Sequence, residues 1–299
     1  MTTSERGIGP HVLLWPALAL TFNAFTWGVS WWPFRQLQDQ GLHPLWATAL
    51  IYTLAVLAIT LWRPGAWREL WRARSLWLLV IASGTTNATF NWAVTIGDVV
   101  RVVLLFYLMP LWAVLLARWL LHERLTRMAM LRVALALTGA AVVLWPEGQG
   151  LEALPVPRAL PEWLAVLGGF SFALNNVMLR REAHQPEAAR ALAMFLGGAV
   201  VATVVASSLS ATGSVALPPA PAAGWITGAL LLGLWFLASN AALQYGAARL
   251  PANVTAVVMI SEVLFASVSA ILLGAGHLTL PLVVGGALIV GASLLSARH

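Results

Sequence analysis

From Ala191 to Ala248 the chain runs 58 residues without an Asp, Glu, Lys, Arg or His. A soluble domain carries roughly one charged residue in four, so a stretch like this cannot be given a wet surface. Runs of the same kind recur along the length: Val12 to Phe34 (23 residues), Pro44 to Trp62 (19) and Leu76 to Gly97 (22) have none of these residues either. A helix of about 20 apolar residues spans ~30 Å of hydrocarbon. With 9% charged and 60% hydrophobic residues, and a mean hydropathy of +0.82, the solvent for most of this chain is lipid.

Ten spans are expected. After the three above come Val102 to Leu120, which crosses Arg118, and Met128 to Pro146, which admits Arg132. Glu147 to Pro161 then reads EGQGLEALPVPRALP, a Gly/Pro-rich acidic linker. Five more spans follow: Trp163 to Leu179, Ala191 to Thr212, Trp225 to Ala248, Pro251 to Leu273 and Leu278 to Ala297. The proline-rich stretch Ser214 to Gly224 supplies the turn inside the long uncharged run. The domain reading is therefore 1–146, a linker at 147–161, and 162–299. The opening MTTSERGIGPH is too short and too weakly basic for a secretory leader, so the first span is expected to be retained. Positive residues stay on the cytoplasmic side. With the N-terminus inside, ten spans put 14 of the 17 basic residues, all arginine, on that side and leave Arg35, Arg101 and Arg158 outside. Both termini are expected in the cytoplasm.

A shift of 153 residues lays one half on the other: Asn23 on Asn176, Asn87 on Asn240, Asn91 on Gln244, and Leu125-Thr126 on Leu278-Thr279. Polar residues are scarce here, which gives these coincidences their weight. Because each copy has an odd number of spans, the second enters the membrane from the opposite side. The expected fold is an all-α membrane protein of ten transmembrane helices in two inverted five-helix repeats, an arrangement that places a substrate site near mid-membrane where the halves meet.

The polar residues inside the oil mark that site. Asn87 and Asn91 stand four apart on one helical face, as do Asn240 and Gln244. Asn23 lies in the first span and Asn175-Asn176 in the sixth. Each amide alone serves as interhelical glue worth about 0.6 kcal/mol; as a recurring set they suggest a cavity wall. Glu262 lies near the middle of the ninth span, where a charge facing lipid costs on the order of 3 kcal/mol or more. It must face protein or water, or carry a proton, which makes it a candidate proton carrier or ammonium anchor. Arg101 opens the fourth span and is either a partner for a substrate carboxylate or an interfacial arginine. Tyr107, Trp27, Trp92, Trp112, Trp235 and Tyr245 lie deep enough to line a pocket for an aromatic or apolar substrate, although ordinary helix packing also buries rings. Pro110 breaks one hydrogen bond inside the fourth helix and is a candidate moving part.

The chain has no cysteine, its six histidines are scattered, and neither a Walker loop nor a dinucleotide fingerprint is present. No cofactor, metal or enzymatic activity is expected. Its basic balance of +6 would suggest nucleic acid in a soluble protein, but the arginines sit near span ends, where topology accounts for them.

The run PLWAVLLARWLLHERLTRMAMLRVALALTGAAVVL, Pro110 to Leu144, resembles the signature of the drug/metabolite transporter superfamily: a proline in the fourth helix, Glu123 near its cytoplasmic end, and a glycine-containing fifth helix. The second copy departs from it, with Val263 at the proline position and GHLT at Gly276 to Thr279 in place of ERLT at Glu123 to Thr126. Gly97 to Trp112, GDVVRVVLLFYLMPLW, is most similar to the bacterial inner-membrane exporters of aromatic and other amino acids. The resemblance implies a multi-pass inner-membrane exporter with alternating access and a cavity lined by the first, third, fourth, sixth, eighth and ninth helices. Its partners would be amino acids, the bilayer and, as a coupling ion, protons. A structural or regulatory membrane protein and a lipid-modifying enzyme are the alternatives. The first predicts amides in dry helix contacts, the second a convergent His/Asp/Glu set at an interface.

Overall fold

The computed structural model describes residues 10–120, 126–145, 156–247, 249–250 and 252–296. Every regular element among them is a helix. In lipid no water satisfies a peptide group, and a helix bonds its own N–H and C=O groups internally. The thirteen helices are α1 (Pro10–Val29), α2 (Trp31–Asp39), α3 (Pro44–Trp62), α4 (Gly65–Arg72), α5 (Leu76–Ile96), α6 (Val99–Phe106), α7 (Met109–Leu120), α8 (Arg127–Leu144), α9 (Leu160–Arg181), α10 (Glu187–Ala211), α11 (Ala223–Ala247), α12 (Ala252–Leu272) and α13 (Leu280–Ser296).

Among the described residues, five stretches are long and apolar enough to cross a membrane: Pro44–Trp62, Val99–Leu120, Leu160–Arg181, Glu187–Ala211 and Ala223–Leu243. Three shorter apolar stretches accompany them, Val133–Val143, Ser261–Leu272 and Leu280–Ala292. The chain is an all-α, multi-pass membrane protein. Helices α1, α5, α8, α12 and α13 occupy the remaining stretches where a span is expected from the sequence. Of the expected linker at 147–161, residues up to 155 lie outside the described residues, as does Glu123.

Two expected spans are interrupted. Between α1 and α2 the Ser30 hydroxyl donates to the Trp27 carbonyl at 2.8 Å, and the Ser30 N–H meets the same oxygen at 3.3 Å, which tightens the turn. Between α6 and α7 the Leu108 N–H reaches the Leu105 carbonyl at 3.2 Å, a three-residue turn, before the helix resumes at Met109. Pro110 therefore stands in the first turn of α7, where a missing N–H costs least. It cannot donate to the Phe106 carbonyl, and α9 approaches that oxygen instead. A Cβ on Gly169 would collide with it, so only glycine allows the contact.

Helix α5 lies against α9 and α10, and α10 also lies against α3. Helix α1 packs on α11 and α12, α9 on α6 and α7, and α8 on α13. Arg35 anchors the end of α5 by donating to the carbonyls of Thr95 at 3.0 Å and Gly97 at 2.6 Å, while its guanidinium sits 4.9 Å from the Trp31 ring centre. A cation at a helix C-terminus interacts favourably with the negative end of the helix dipole. The short helix α4 buries Ala66 and Leu70 and leaves Arg68, Trp71 and Arg72 exposed. That is the pattern of a helix lying in the membrane interface.

His43, outside the spans, starts α3: its Nδ1 accepts the Leu45 N–H at 3.2 Å. Burial lowers its pKa below the ordinary 6.5, so the unfolded chain takes up a proton first as the pH falls. The cap's contribution is full above about pH 6.5 and is lost as the pH drops through the depressed folded value. Removal of an N-cap costs roughly 1 kcal/mol. Thermal melts of His43→Ala should therefore fall below the wild type at pH ~7.5 and converge with it near pH ~5. Parallel curves across that range would remove His43 from the cap.

Candidate functional site

Helices α1, α3, α5, α6, α9, α10, α11 and α12 converge around a chamber of about 130 Å³. Much of the wall is aromatic: Trp27, Tyr52, Phe90, Phe106, Phe172, Phe195 and Phe236. These rings hold one another in tilted contact. Phe90 and Phe106 are 4.7 Å apart between centres, Phe106 and Phe172 5.3 Å, and Trp27 and Phe236 4.8 Å. Such pairs add stabilisation beyond their buried area and fix each ring's plane. The result is a stiff apolar wall.

Polar groups are set into it at defined points. On α1, Asn23 is 1% exposed, and its Nδ2 donates to the Ser239 carbonyl at 3.0 Å and the Ser239 hydroxyl at 2.7 Å. On α5, Asn87 Nδ2 donates to the Ser83 carbonyl at 2.8 Å, and its Oδ1 accepts from the Tyr52 hydroxyl. On α12, Glu262 is 8% exposed, and its Oε2 accepts from the Tyr107 hydroxyl at 3.1 Å. This contact joins the fourth expected span to the ninth across the broken turn between α6 and α7. Thr86, Asn175 and Asn240 complete the polar lining. Arg, Lys and His are absent from the described residues of the wall.

Of the residues singled out from the sequence, Asn23, Asn87, Asn240 and Glu262 meet in this one space, with Tyr107 behind Glu262. Asn91 does not reach it. One turn beyond Asn87, it is fully buried and donates to the Thr48 hydroxyl at 3.0 Å, tying α5 to α3. Asn176 is exposed, and its neighbour Asn175 takes the inward position. Arg101 lies outside the chamber, its Nε 2.7 Å from Glu162 Oε1. Glu162 in turn caps α9 by accepting the Arg158 N–H at 2.7 Å. This pairing ties the start of α6 to the start of α9. The Gln244 and Pro110 side chains lie outside the described residues.

The wall also takes in two helices beyond the six expected. Helix α3 enters through Tyr52, and α10 through Met194 and Phe195. Tyr52 had a readable signal, being one of three tyrosines and falling in the middle of a 19-residue span. A phenolic hydroxyl at that depth needs a partner. Ser83 also stands four residues before Asn87 on the same face. The phenylalanines carried no such mark, because phenylalanine faces lipid as readily as a chamber.

Comparison with known proteins is consistent with this architecture. Residues 14–145 match the EamA-like transporter family. An uncharacterized transporter of Pseudomonas aeruginosa is 39% identical over 98 residues, 31% of this chain. That match spans about 33% of the relative's length. A solved structure described only as "Crystal structure of protein" aligns over 94% of this chain and 96% of its own, with a TM-score of 0.55. At 18% identity it shows a shared fold alone.

Proposed function

We propose that this chain, whose residues 14–145 match the EamA-like transporter family, is a member of the drug/metabolite transporter superfamily and a secondary transporter that exports amino acids with aromatic or hydrophobic side chains across a bacterial inner membrane. The observation that carries this reading is the chamber itself. Its stiff aromatic wall suits an apolar side chain, and a carboxyl with several amides is set among the rings to meet a polar end. In this reading Asn23, Asn87, Asn175, Asn240 and Glu262 touch the substrate, and the interruption before Pro110 is the hinge.

Alternating access would follow from rocking two inverted five-helix halves, with both termini in the cytoplasm. Supporting the repeat, the packing survives exchange of the halves. The contact of α5 with α9 corresponds to that of α11 with α1, and α1 on α12 corresponds to α9 on α6 and α7. The pairs α3 with α10 and α8 with α13 map onto themselves. Protons are the proposed coupling ion, with Glu262 as their carrier.

Purified protein in liposomes should give saturable flux of labelled aromatic and branched-chain amino acids above protein-free vesicles. An inward proton gradient should change its rate. Flux at the protein-free level for the whole panel, from a preparation that melts cooperatively, would refute the transport reading.

A further inference from the structure

A substrate entering the chamber meets mostly acceptors. Asn23 spends its amide hydrogens on Ser239, leaving Oδ1 buried and without a partner. This orientation is fixed, since a backbone carbonyl can only accept. On the facing helix α9, Asn175 is 3% exposed, and its Oδ1 is likewise buried and unpartnered. Glu262 uses Oε2 for the Tyr107 hydroxyl, and no donor among the described residues meets Oε1.

The wall's hydroxyl protons are already committed. Tyr52 donates to Asn87, Ser83 to the Met194 carbonyl at 3.2 Å, and Thr86 to the Ala82 carbonyl at 2.8 Å. The two arginines expected at the outer ends of nearby spans are tied elsewhere, Arg101 to Glu162 and Arg35 to the carbonyls ending α5. A buried acceptor left unpaired is costly, and a buried anion without a counter-charge more so. The described wall thus offers open oxygens to N–H groups and positive charge, and no cation to a carboxylate.

We infer that the chamber recognises its substrate through a protonated amine, held by Glu262 and the free oxygens of Asn23 and Asn175, with the attached ring against the aromatic wall. This rests on the transport part of the proposed function and departs from its free amino acids, shifting the substrate class to aromatic amines and carboxyl-masked amino acids. A free amino acid would then be the weaker ligand, because its carboxylate finds no partner.

Four ligands sharing one ring test this: phenethylamine, phenylalanine amide, phenylalanine and hydrocinnamate. Calorimetry on the full chain in detergent reads recognition, and counterflow in liposomes reads transport. The amine and the amide should bind about tenfold or more tighter than phenylalanine, with hydrocinnamate weakest. Hydrocinnamate binding as well as the amine, phenylalanine outranking both cationic ligands, or no binding by either cation would overturn the inference. Those results leave the transport reading standing if any member of the series is carried. Amine-selective binding with no counterflow would sustain the recognition and sink the transport reading.

Discussion

Gly197→Ala, the addition of one methyl group, is expected to destabilise the protein more than any other single-methyl change among the described glycines, while Gly291→Ala leaves it unharmed. A Cβ at Gly197 would overlap the Val80 carbonyl oxygen and stand 2.9 Å from the Gly84 nitrogen. Across the same contact, a Cβ at Gly84 would overlap the Gly197 carbonyl. The obstacles are backbone atoms of a neighbouring helix, so no side chain can swing away. Helices α5 and α10 would have to separate, and α5 carries Ser83, Thr86, Asn87 and Phe90 of the chamber. Overpacking costs ~1–3 kcal/mol when side chains can adjust, and a backbone contact should reach or pass the top of that range. Gly291 has nothing within 4 Å of a built Cβ, so alanine there should gain up to ~1 kcal/mol from helix propensity. Thermal melts in detergent compare the two. Equal melting temperatures would mean that α5 and α10 do not touch at these glycines.

Glu262→Gln is the second large effect, and it falls on transport rather than folding. Glutamine has nearly the same shape, and its carbonyl oxygen still accepts from Tyr107, so melting should stay close to the wild type. The negative charge is lost. A hydrogen bond to a charged group contributes about 1.5–3 kcal/mol, so flux should drop by roughly ten- to a hundredfold. Any acceleration by a proton gradient should vanish as well if Glu262 carries the proton. A variant that melts early would implicate Glu262 in structure. One that transports normally would remove it from the substrate path.

The reach of sequence reasoning is clearest in residues that are close in the chain yet part company in space. Asn87 and Asn91 share a helical face by spacing, but one lines the chamber and the other is spent on Thr48, because α3 lies over α5 at the level of Asn91. Asn175 and Asn176 differ by about 100° around their helix. The sequence repeat selects Asn176, whereas the packing of α9 turns Asn175 inward. Arg101 had two readings, and the structure gives it a partner that neither foresaw, Glu162, 61 residues away in the chain. Glu262 needed no such help. A carboxyl in mid-span is expensive wherever it meets lipid, so its place in a polar interior was already implied.

Sequence alone determined that the chain lives in lipid, roughly where its helices begin and end, and which scarce polar residues must avoid the hydrocarbon. Those conclusions rest on transfer costs, which are local and accumulate residue by residue. Only the tertiary structure decided which way each helix faces and which rings and amides share a chamber. In water an apolar stripe announces the buried side of a helix. In a membrane the lipid-facing and protein-facing sides are equally oily, so that orientation is left to the fit of one helix against the next.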